Sequence, residues 1–244
     1  MRPILVLIMI TLPVLAQDSR EPLARYPSWF LTMPSDPEGV YAVGYAPVYA
    51  IFDSSVEEAG EKACIQLMRT KQIHISGERL FEVIPGGQNI FRGELFEETY
   101  PDCEDYEYVV LDTVRVNNMV LVLVTNKEEY EFTGSYLVPL SHHAPKWVTD
   151  TSNLHGNLYA VGASPLYFYE QNAWLEAERQ ARHQLAFSAA TQQRQLFKGT
   201  QDQEFVVTAS ATSVKLFNAQ VVERWRNNRM IFVLMRADGF EIKK

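Results

Sequence analysis

The pattern of apolar and polar positions predicts the same pair of elements, a strand and then a helix, at two places in the chain. Residues 40–45 and 158–163 alternate small side chains on one face with larger ones on the other, as a strand does. Alanine recurs at helical spacing after each strand. Gly44 and Gly162 lie inside the strands, where glycine is favoured only if another element comes close. We therefore expect the small face of each strand to pack against the alanine-lined face of its helix.

Further strands are predicted after each helix. Two Asn-Asn pairs, residues 117–118 and 227–228, lie between apolar runs and tolerate the positive φ that a tight hairpin needs. Residues 80–96 predict an extra hairpin in the first half, and residues 205–217 predict a long strand in the second. The tail after residue 238 is short and charged, so we expect it to be frayed.

The two halves of the chain align at an offset of 118 positions, and between residues 27 and 67 they are identical at 13 of 41 positions without a gap. The identical pairs are Pro27/Pro145, Trp29/Trp147, Tyr41/Tyr159, Ala42/Ala160, Val43/Val161, Gly44/Gly162, Pro47/Pro165, Tyr49/Tyr167, Glu58/Glu176, Ala59/Ala177, Ala63/Ala181, Gln66/Gln184 and Leu67/Leu185. This indicates an internal duplication. The predicted fold class is α+β, with tandem repeats at 26–138 and 144–238. Each repeat has a strand, a long helix packed on the sheet, and three or more antiparallel strands.

Helix starts and anchors can also be predicted from the pattern. Ser54 and Asn172 occupy equivalent positions before the helices and are good N-cap residues. Each half opens with Pro-x-Trp, and a large aromatic residue there is suited to anchoring the chain against a core. We therefore expect Trp29 and Trp147 to be structural residues, together with the two strand glycines.

The N-terminus is typical of a secretory signal. Arg2 precedes an apolar run over residues 4–12, Pro13 ends it, and Ala16 fits a cleavage site. This predicts a signal peptide at 1–16 and an exported protein, periplasmic or secreted. Gln17 follows the predicted cleavage point where a lipoprotein would have cysteine, so no lipid anchor is expected. No later stretch is apolar for long enough to span a bilayer.

The net charge of −8 is unevenly distributed. Residues 26–138 carry 19 acidic and 7 basic side chains, whereas residues 144–244 carry 9 acidic and 12 basic ones. The acidic half argues against nucleic acid as a partner. The contrast could favour docking of one half against the other, or self-association of successive molecules.

The two cysteines, Cys64 and Cys103, could form a disulfide in an exported protein. The alternative is a pair of unpaired thiols, with Cys64 buried as a small apolar side chain.

No catalytic constellation emerges from the sequence, and we expect no catalytic residue, no cofactor and no metal. His142 and His143 could bind a transition metal, but a solvated linker is favoured over a metal site that needs three or four ligands. His183 is expected on the exposed side of its helix. An acidic stretch could hold Ca²⁺ or could form a solvated edge, which is favoured because the spacing does not match an EF-hand. Its members are Glu94, Glu97, Glu98, Asp102, Glu104, Asp105 and Glu107.

Two aromatic clusters follow the predicted first strand of each half and are candidates for a partner surface. They are Tyr45, Tyr49 and Phe52 in the first half, and Tyr167, Phe168 and Tyr169 in the second. The alternative is that they pack over the start of the helix.

The Pro-x-Trp motif, the Tyr-Ala-Val-Gly strands at 41–44 and 159–162, the alanine-spaced helix and the final hairpin resemble the twenty-kilodalton envelope lipoprotein family of bacteria. They also resemble the amino-terminal domain of a flagellar H-ring protein. The resemblance covers residues 27 to about 124 and 145 to about 235, as two tandem units. It implies a bacterial envelope or surface protein with a binding or structural role.

Together these observations favour an exported, non-enzymatic protein of the cell envelope that acts as a binding or assembly module with a protein partner. A binder of small ligands or glycans, with a site in the cleft between the repeats or at the aromatic loops, is one alternative. A hydrolase with an unrecognised site is another.

Overall fold

The computed structural model describes residues 24–35, 39–84, 88–104, 106–127, 134–198 and 209–242, so the predicted signal peptide lies outside the described residues. The fold is α+β and its sheets are antiparallel. The helices in this part of the chain are α1 (Ser28–Leu31), α2 (Phe52–Lys71) and α3 (Glu170–Lys198), with a 3₁₀ turn at Lys146–Val148.

The strands alternate with these helices along the chain. In the first half they are β1 (Arg25–Pro27), β2 (Tyr41–Pro47), β3 (Gln72–Ile84), β4 (Gln88–Thr99), β5 (Val109–Val116), β6 (Met119–Thr125) and β7 (Leu137–Pro139). In the second half they are β8 (Leu158–Pro165), β9 (Ala209–Phe217), β10 (Gln220–Arg226), β11 (Met230–Ala237) and β12 (Gly239–Ile242).

In the first half, α2 covers one face of a three-stranded sheet of order β2-β6-β5. Ala42 and Ala46 on β2 pack against Ala59 and Ala63 on the helix, and all four are buried. A β-carbon on Gly44 would overlap the backbone of α2 at Ala59 and Ala63. Glycine is therefore needed at this point because the helix backbone touches the strand.

In the second half, α3 lies in the same way on a sheet of order β10-β11-β8. A β-carbon on Gly162 would overlap the backbone of α3 at Ala177 and Ala181. These two alanines lie 118 positions after their counterparts on α2. The small-face packing expected from the sequence is thus seen at both glycines.

The strand that follows each helix does not return to the three-stranded sheet of its own half. Instead β3 and β9 pair with each other, antiparallel from Gln72 opposite Phe217 to Leu80 opposite Ala209. They form the centre of a four-stranded sheet of order β12-β9-β3-β4. The two halves of the chain therefore share a sheet. The tail, expected to be frayed, is instead paired as β12 along β9.

A large core fills the space between the halves. The face of β2 that points away from α2 carries Tyr41, Val43 and Tyr45, and these lie in one cluster with the alanines of α3. The rings of Phe30 and Trp174 meet edge to face at 5.1 Å between centroids. Because aromatic rings bury large areas, this contact holds α1 of the first half against α3 of the second.

The predicted N-cap positions are wrong by three residues, since α2 begins at Phe52 after the cap residue Ile51, and α3 begins at Glu170. Ser54 therefore lies inside α2 rather than at its cap. Ser55, on the same turn, is buried and accepts a hydrogen bond at its Oγ from the backbone N–H of Tyr49 at 2.8 Å. This bond fixes the loop between β2 and α2 to the first turn of the helix.

Cys64 on α2 and Cys103, in the segment after β4, are joined as a disulfide, with their Cα atoms 6.1 Å apart. The bond ties the helix of the first half to the segment that leads into β5.

Candidate functional site

One end of the molecule brings together the two Asn-Asn hairpins and the two aromatic loops. The loop after β2 is joined to the first hairpin by a bond from the N–H of Val48 to the carbonyl of Asn118, at 3.1 Å. The loop after β8 is joined to the second hairpin by a bond from the N–H of Leu166 to the carbonyl of Arg229, at 2.8 Å. Both hairpins face the same cleft. The two hairpins therefore border one cleft, and the second aromatic loop contributes Phe168 to it.

The cleft has a volume of about 1040 Å³. Both hairpins line the cleft, and the start of α3 contributes Glu170 and Gln171. The linker between the halves contributes His142, and the loop after β8 contributes Phe168. Sites for small molecules are concave and usually ~300–1,000 Å³. This cleft is therefore large enough for a ligand of several rings.

Glu170 organises the floor of the cleft. Its Oε1 accepts hydrogen bonds from the hydroxyl of Tyr26 and from the indole N–H of Trp174 at 2.9 Å. Its Oε2 accepts one from the amide of Asn117 at 3.2 Å. Arg226 donates to the Tyr26 hydroxyl at 2.7 Å and lies 3.4 Å from Glu170. The carboxylate is thus occupied by residues of both halves, which fixes the first hairpin against α3.

Burial raises the pKa of Tyr26 far above its usual value, and the neighbouring Glu170 raises it further. Its hydroxyl therefore keeps its proton and donates to the carboxylate. The pKa shift supports a structural role for this tyrosine, because a proton held so tightly is a poor acid at neutral pH.

A second buried network lies two turns further along α3. Glu178 accepts a hydrogen bond from the hydroxyl of Tyr45 at 2.5 Å and one from Arg224 at 2.8 Å. Arg224 also donates to the backbone carbonyl of Phe30 at 2.9 Å and stacks over its ring. All of these groups are buried. The network repeats the Tyr-Glu-Arg arrangement of the cleft floor and ties β2, α3 and β10 together.

Tyr45 was expected on a partner surface, and this expectation is wrong. Its side chain is fully buried, because it lies on the face of β2 that points into the core between the halves. Burial also raises its pKa well above the usual value. A partner cannot reach it in this fold.

The other five aromatic residues of the two clusters are at least partly exposed. Tyr49 and Phe52 flank the start of α2, and the Tyr49 hydroxyl donates to Glu58 at 2.5 Å. In the second loop Phe168 is the most exposed, at 91% of its surface, and its ring meets that of Tyr169 edge to face at 5.1 Å. Tyr167 is also exposed. The two loops therefore present aromatic side chains to solvent rather than packing all of them over the helices.

The tryptophans of the Pro-x-Trp motifs are buried anchors. Trp29 donates its indole N–H to Asp112 at 2.8 Å, and Trp147 donates to Glu223 at 2.5 Å. Each acceptor follows an irregularity in the pairing of its strand, β5 or β10. The two buried tryptophans thus make the same kind of contact, each with a partly buried carboxylate, in the two halves.

The described members of the acidic stretch at 94–107 divide into two groups, while Asp105 and the side chain of Glu94 lie outside the described residues. Glu98 points inward, where Arg182 on α3 donates to it at 2.9 and 3.2 Å and Arg69 on α2 lies 3.6 Å away. Burial alone would raise the pKa of Glu98, but the hydrogen bond from His183 and the charge of Arg182 outweigh it and lower the pKa to about 2. Other members of the stretch are exposed: Glu97, Asp102, Glu104 and Glu107.

His183 was expected on the exposed side of α3, and this is wrong, since it is 1% exposed. Its ring packs against Phe96 of β4 at 4.7 Å between centroids, and its Nε2 lies 3.4 Å from Glu98. The shared sheet covers this side of the helix, which a solitary helix would have left in solvent. His142 and His143 are exposed in the linker.

Within the described residues, no group of three or more His, Cys, Asp or Glu side chains is placed to hold a metal ion. No helix in the same part of the chain combines the length and the apolar character needed to cross a membrane.

Sequence reasoning missed the buried charges that hold this site together. Glu170, Trp174, Glu178 and Arg182 recur every four residues along one face of α3, directly beside its alanines. These charged residues could have been predicted from the sequence. The signal is a charged residue at the edge of the apolar face of a helix, with another charged residue one turn away. Their partners on β10, Arg224 and Arg226, lie two residues apart and so share a face of the strand.

Comparison of the chain with models of protein families, with curated proteins and with solved structures found no match.

Proposed function

We propose that this chain is an exported, non-enzymatic component of a bacterial cell envelope that acts as a binding or assembly module for a protein partner. The observation that carries the proposal is the pair of exposed aromatic loops at one end of the molecule. Each loop is held beside its own hairpin by a backbone hydrogen bond, so the two are presented on fixed supports. Exposed aromatic groups on a rigid scaffold are typical of partner surfaces.

The proposal includes an origin by duplication of a small α+β unit. Thirteen identities at a fixed offset support it, together with the matched packing at Gly44 and Gly162. The equivalent contacts of Trp29 with Asp112 and of Trp147 with Glu223 support it as well. A duplicated unit that keeps its core contacts while its polar surface diverges is suited to binding, since it offers two related but different loops to a partner.

We propose export from the N-terminal sequence, with cleavage after Ala16, to the periplasm or the outside of the cell. The disulfide between Cys64 and Cys103 supports this location, because such bonds persist in oxidising compartments.

The proposed partner can be captured by site-specific photocrosslinking. A photoreactive phenylalanine analogue would replace Phe52 or Tyr167, which are exposed and lie in different loops. Leu95 is exposed on β4 and serves as a matched control position. After irradiation of intact cells, the expected result is a discrete protein adduct from the two loop positions and none from the control. Adducts of equal yield from all three positions, or from none, would contradict the proposal.

The cleft favours a second candidate function, the binding of a small ligand or glycan. It is large and lined by polar groups that both halves contribute. Some side chains of the cleft form no contact within the fold. Their chemistry decides which ligand the cleft fits.

A further inference from the structure

The polar groups of the cleft fall into two sets, those that the fold uses and those that it leaves free. Glu170, Arg226 and Asn117 bind one another or Tyr26 on the floor. The side chain of Asn227 accepts the backbone N–H groups of Arg229 and Met230 at 2.8 Å and so closes its own turn. These side chains are explained by the structure and carry no information about a ligand.

The free set begins with Gln171, which lines the cleft although it is only 5% exposed. Among the described residues nothing forms a hydrogen bond with its side-chain amide. An amide that lines a cleft has two donor hydrogens and an acceptor oxygen to offer a ligand. Gln171 therefore offers hydrogen-bonding groups to a ligand in the cleft.

Asn118 and Asn228, one on each hairpin, continue this set. Both are exposed, both line the cleft, and the described part of the chain offers their side chains no hydrogen-bond partner. Neither is required by its turn in the way that Asn117, with a φ of 52°, is required by the first hairpin. Each amide has two donor hydrogens and an acceptor oxygen. A ligand that meets all three amides must itself both donate and accept at several points.

Phe168 and Arg229 complete the free set. Phe168 offers an apolar ring edge and face at the mouth of the cleft. Arg229 is exposed on the second hairpin, and its guanidinium has no ion-pair partner in the described residues. A guanidinium binds carboxylates in a planar, two-pronged geometry. Since Glu170 and Arg226 neutralise each other, Arg229 gives the cleft one positive charge that is not balanced within it.

We propose that this cleft is a binding site for an acidic oligosaccharide, a glycan that carries hydroxyl or N-acyl groups together with a carboxylate. Sugar hydroxyls donate and accept hydrogen bonds as the three amides require. The C–H face of a pyranose ring packs on an aromatic ring such as Phe168, and the carboxylate pairs with Arg229. A peptide is disfavoured, because extended peptides bind along a free strand edge or an apolar groove, whereas turns supply the walls of this cleft.

The volume fits this class. At about 1040 Å³ the cleft exceeds what a single sugar ring fills, and it matches the upper range of small-molecule sites. The site accordingly takes a stretch of a few residues of an oligosaccharide that contacts Gln171 and Phe168.

The test is calorimetric titration of the purified chain with defined oligosaccharides. One tetrasaccharide alternates N-acetylglucosamine with glucuronic acid, and a second has the same rings with each carboxyl group reduced to an alcohol. We expect the acidic tetrasaccharide to bind with a Kd below about 1 mM and the neutral one up to about fivefold more weakly, as for one exposed ion pair. Absence of binding by both sugars up to about ten times that concentration would overturn the proposal.

Three exposed variants locate the site without endangering the fold. Phe168→Ala is expected to weaken both sugars about tenfold, and Asn228→Ala severalfold. Arg229→Ala should remove the preference for the acidic sugar while leaving the neutral one unchanged. Leu95→Ala, on the distant strand β4, is the matched control and should bind as the parent does. Equal binding by Phe168→Ala, Asn228→Ala and the parent would place the sugar elsewhere and overturn the proposal.

The glycan site and the proposed protein partner can fail separately. Sugar binding is measured on the purified chain at Phe168 and Arg229, whereas the partner is captured in cells through Phe52 and Tyr167. If one of the two experiments gives a negative result, the proposal tested by the other still stands.

Discussion

The backbone of Ala177 lies where a β-carbon on Gly162 would have to go. A strand and a helix are in backbone contact at this point, and the overlapped atoms are a carbonyl oxygen and an amide nitrogen that cannot swing away. Gly44 has the same relation to Ala59. The closest packing in each half therefore depends on the absence of a single methyl group.

We expect Gly162→Ala and Gly44→Ala each to lower the free energy of unfolding by roughly 1–3 kcal/mol, because α3 or α2 must move off its strand. Urea denaturation followed by tryptophan fluorescence measures the change. Gly60→Ala on α2 is the matched control, since its added β-carbon would meet only the Tyr108 hydroxyl at an ordinary 3.5 Å. That variant should be neutral or stabilising by about 0.5–1 kcal/mol. A loss of equal size at Gly60 would contradict the close-packing argument.

The second prediction concerns Asp112, which accepts the indole N–H of Trp29 at 2.8 Å. Asp112→Ala should lower the free energy of unfolding by about 1–3 kcal/mol, because it leaves a buried donor without an acceptor. Asp112→Asn keeps an oxygen at that position and should cost less. Both are measured by chemical denaturation, with emission of the buried tryptophans as a second readout. If the two variants unfold alike, the hydrogen bond is not what makes Asp112 important.

The third prediction is an acid-dependent loss of stability through Glu98. Arg182 and His183 face it from α3, Arg69 faces it from α2, and together they hold its pKa near 2, below the usual 4.5. A carboxyl group whose pKa is lowered on folding contributes stability above its unfolded pKa. That contribution, about 3 kcal/mol for this shift, is lost as the pH falls from about 4.5 to about 2.

Glu98→Gln should therefore lower the free energy of unfolding at neutral pH and flatten its dependence on pH between about 4.5 and 2. Denaturant titrations at a series of pH values provide the measurement. Glu97→Gln is the matched control, because Glu97 is next to it on β4 but exposed. An unchanged pH dependence in Glu98→Gln would show that the buried ion pairs do not stabilise the fold.

The fourth prediction concerns the disulfide. Cys64 and Cys103 are 39 residues apart, and closing a loop of that length removes chain entropy from the unfolded state worth about 4 kcal/mol. We expect Cys64→Ala with Cys103→Ala, or reduction of the parent, to lower the unfolding transition clearly in a thermal scan. The double variant should no longer respond to a reducing agent. A parent protein whose transition is the same with and without reductant would count against a structural disulfide.

Local patterns in the sequence were enough to predict much of the architecture. The spacing of alanines and the strand glycines predicted which helix face meets which strand face, and the structure shows this contact at Gly44 and at Gly162. The Asn-Asn hairpins and the α+β class could be predicted for the same reason. Each depends on residues within one element or on elements that are consecutive along the chain.

The buried position of Tyr45 and His183, and the pairing of β3 with β9, could not be predicted in that way. Tyr45 lies on a strand with two apolar faces, and periodicity does not say which face is covered by the other half. His183 looks exposed on α3 until the shared sheet is placed over it.

The sequence by itself determined the elements, their small-residue contacts and the candidate aromatic loops, because side-chain periodicity and turn chemistry act over a few residues. Only the tertiary structure decided that the halves share a sheet and that the hairpins border one cleft. It also decided that Glu178 is buried with Arg224 of β10, and that Glu170 is partly buried beside Arg226. Such pairings join residues tens of positions apart. They depend on which surfaces remain to be covered after each unit has packed, and no short stretch of sequence contains that information.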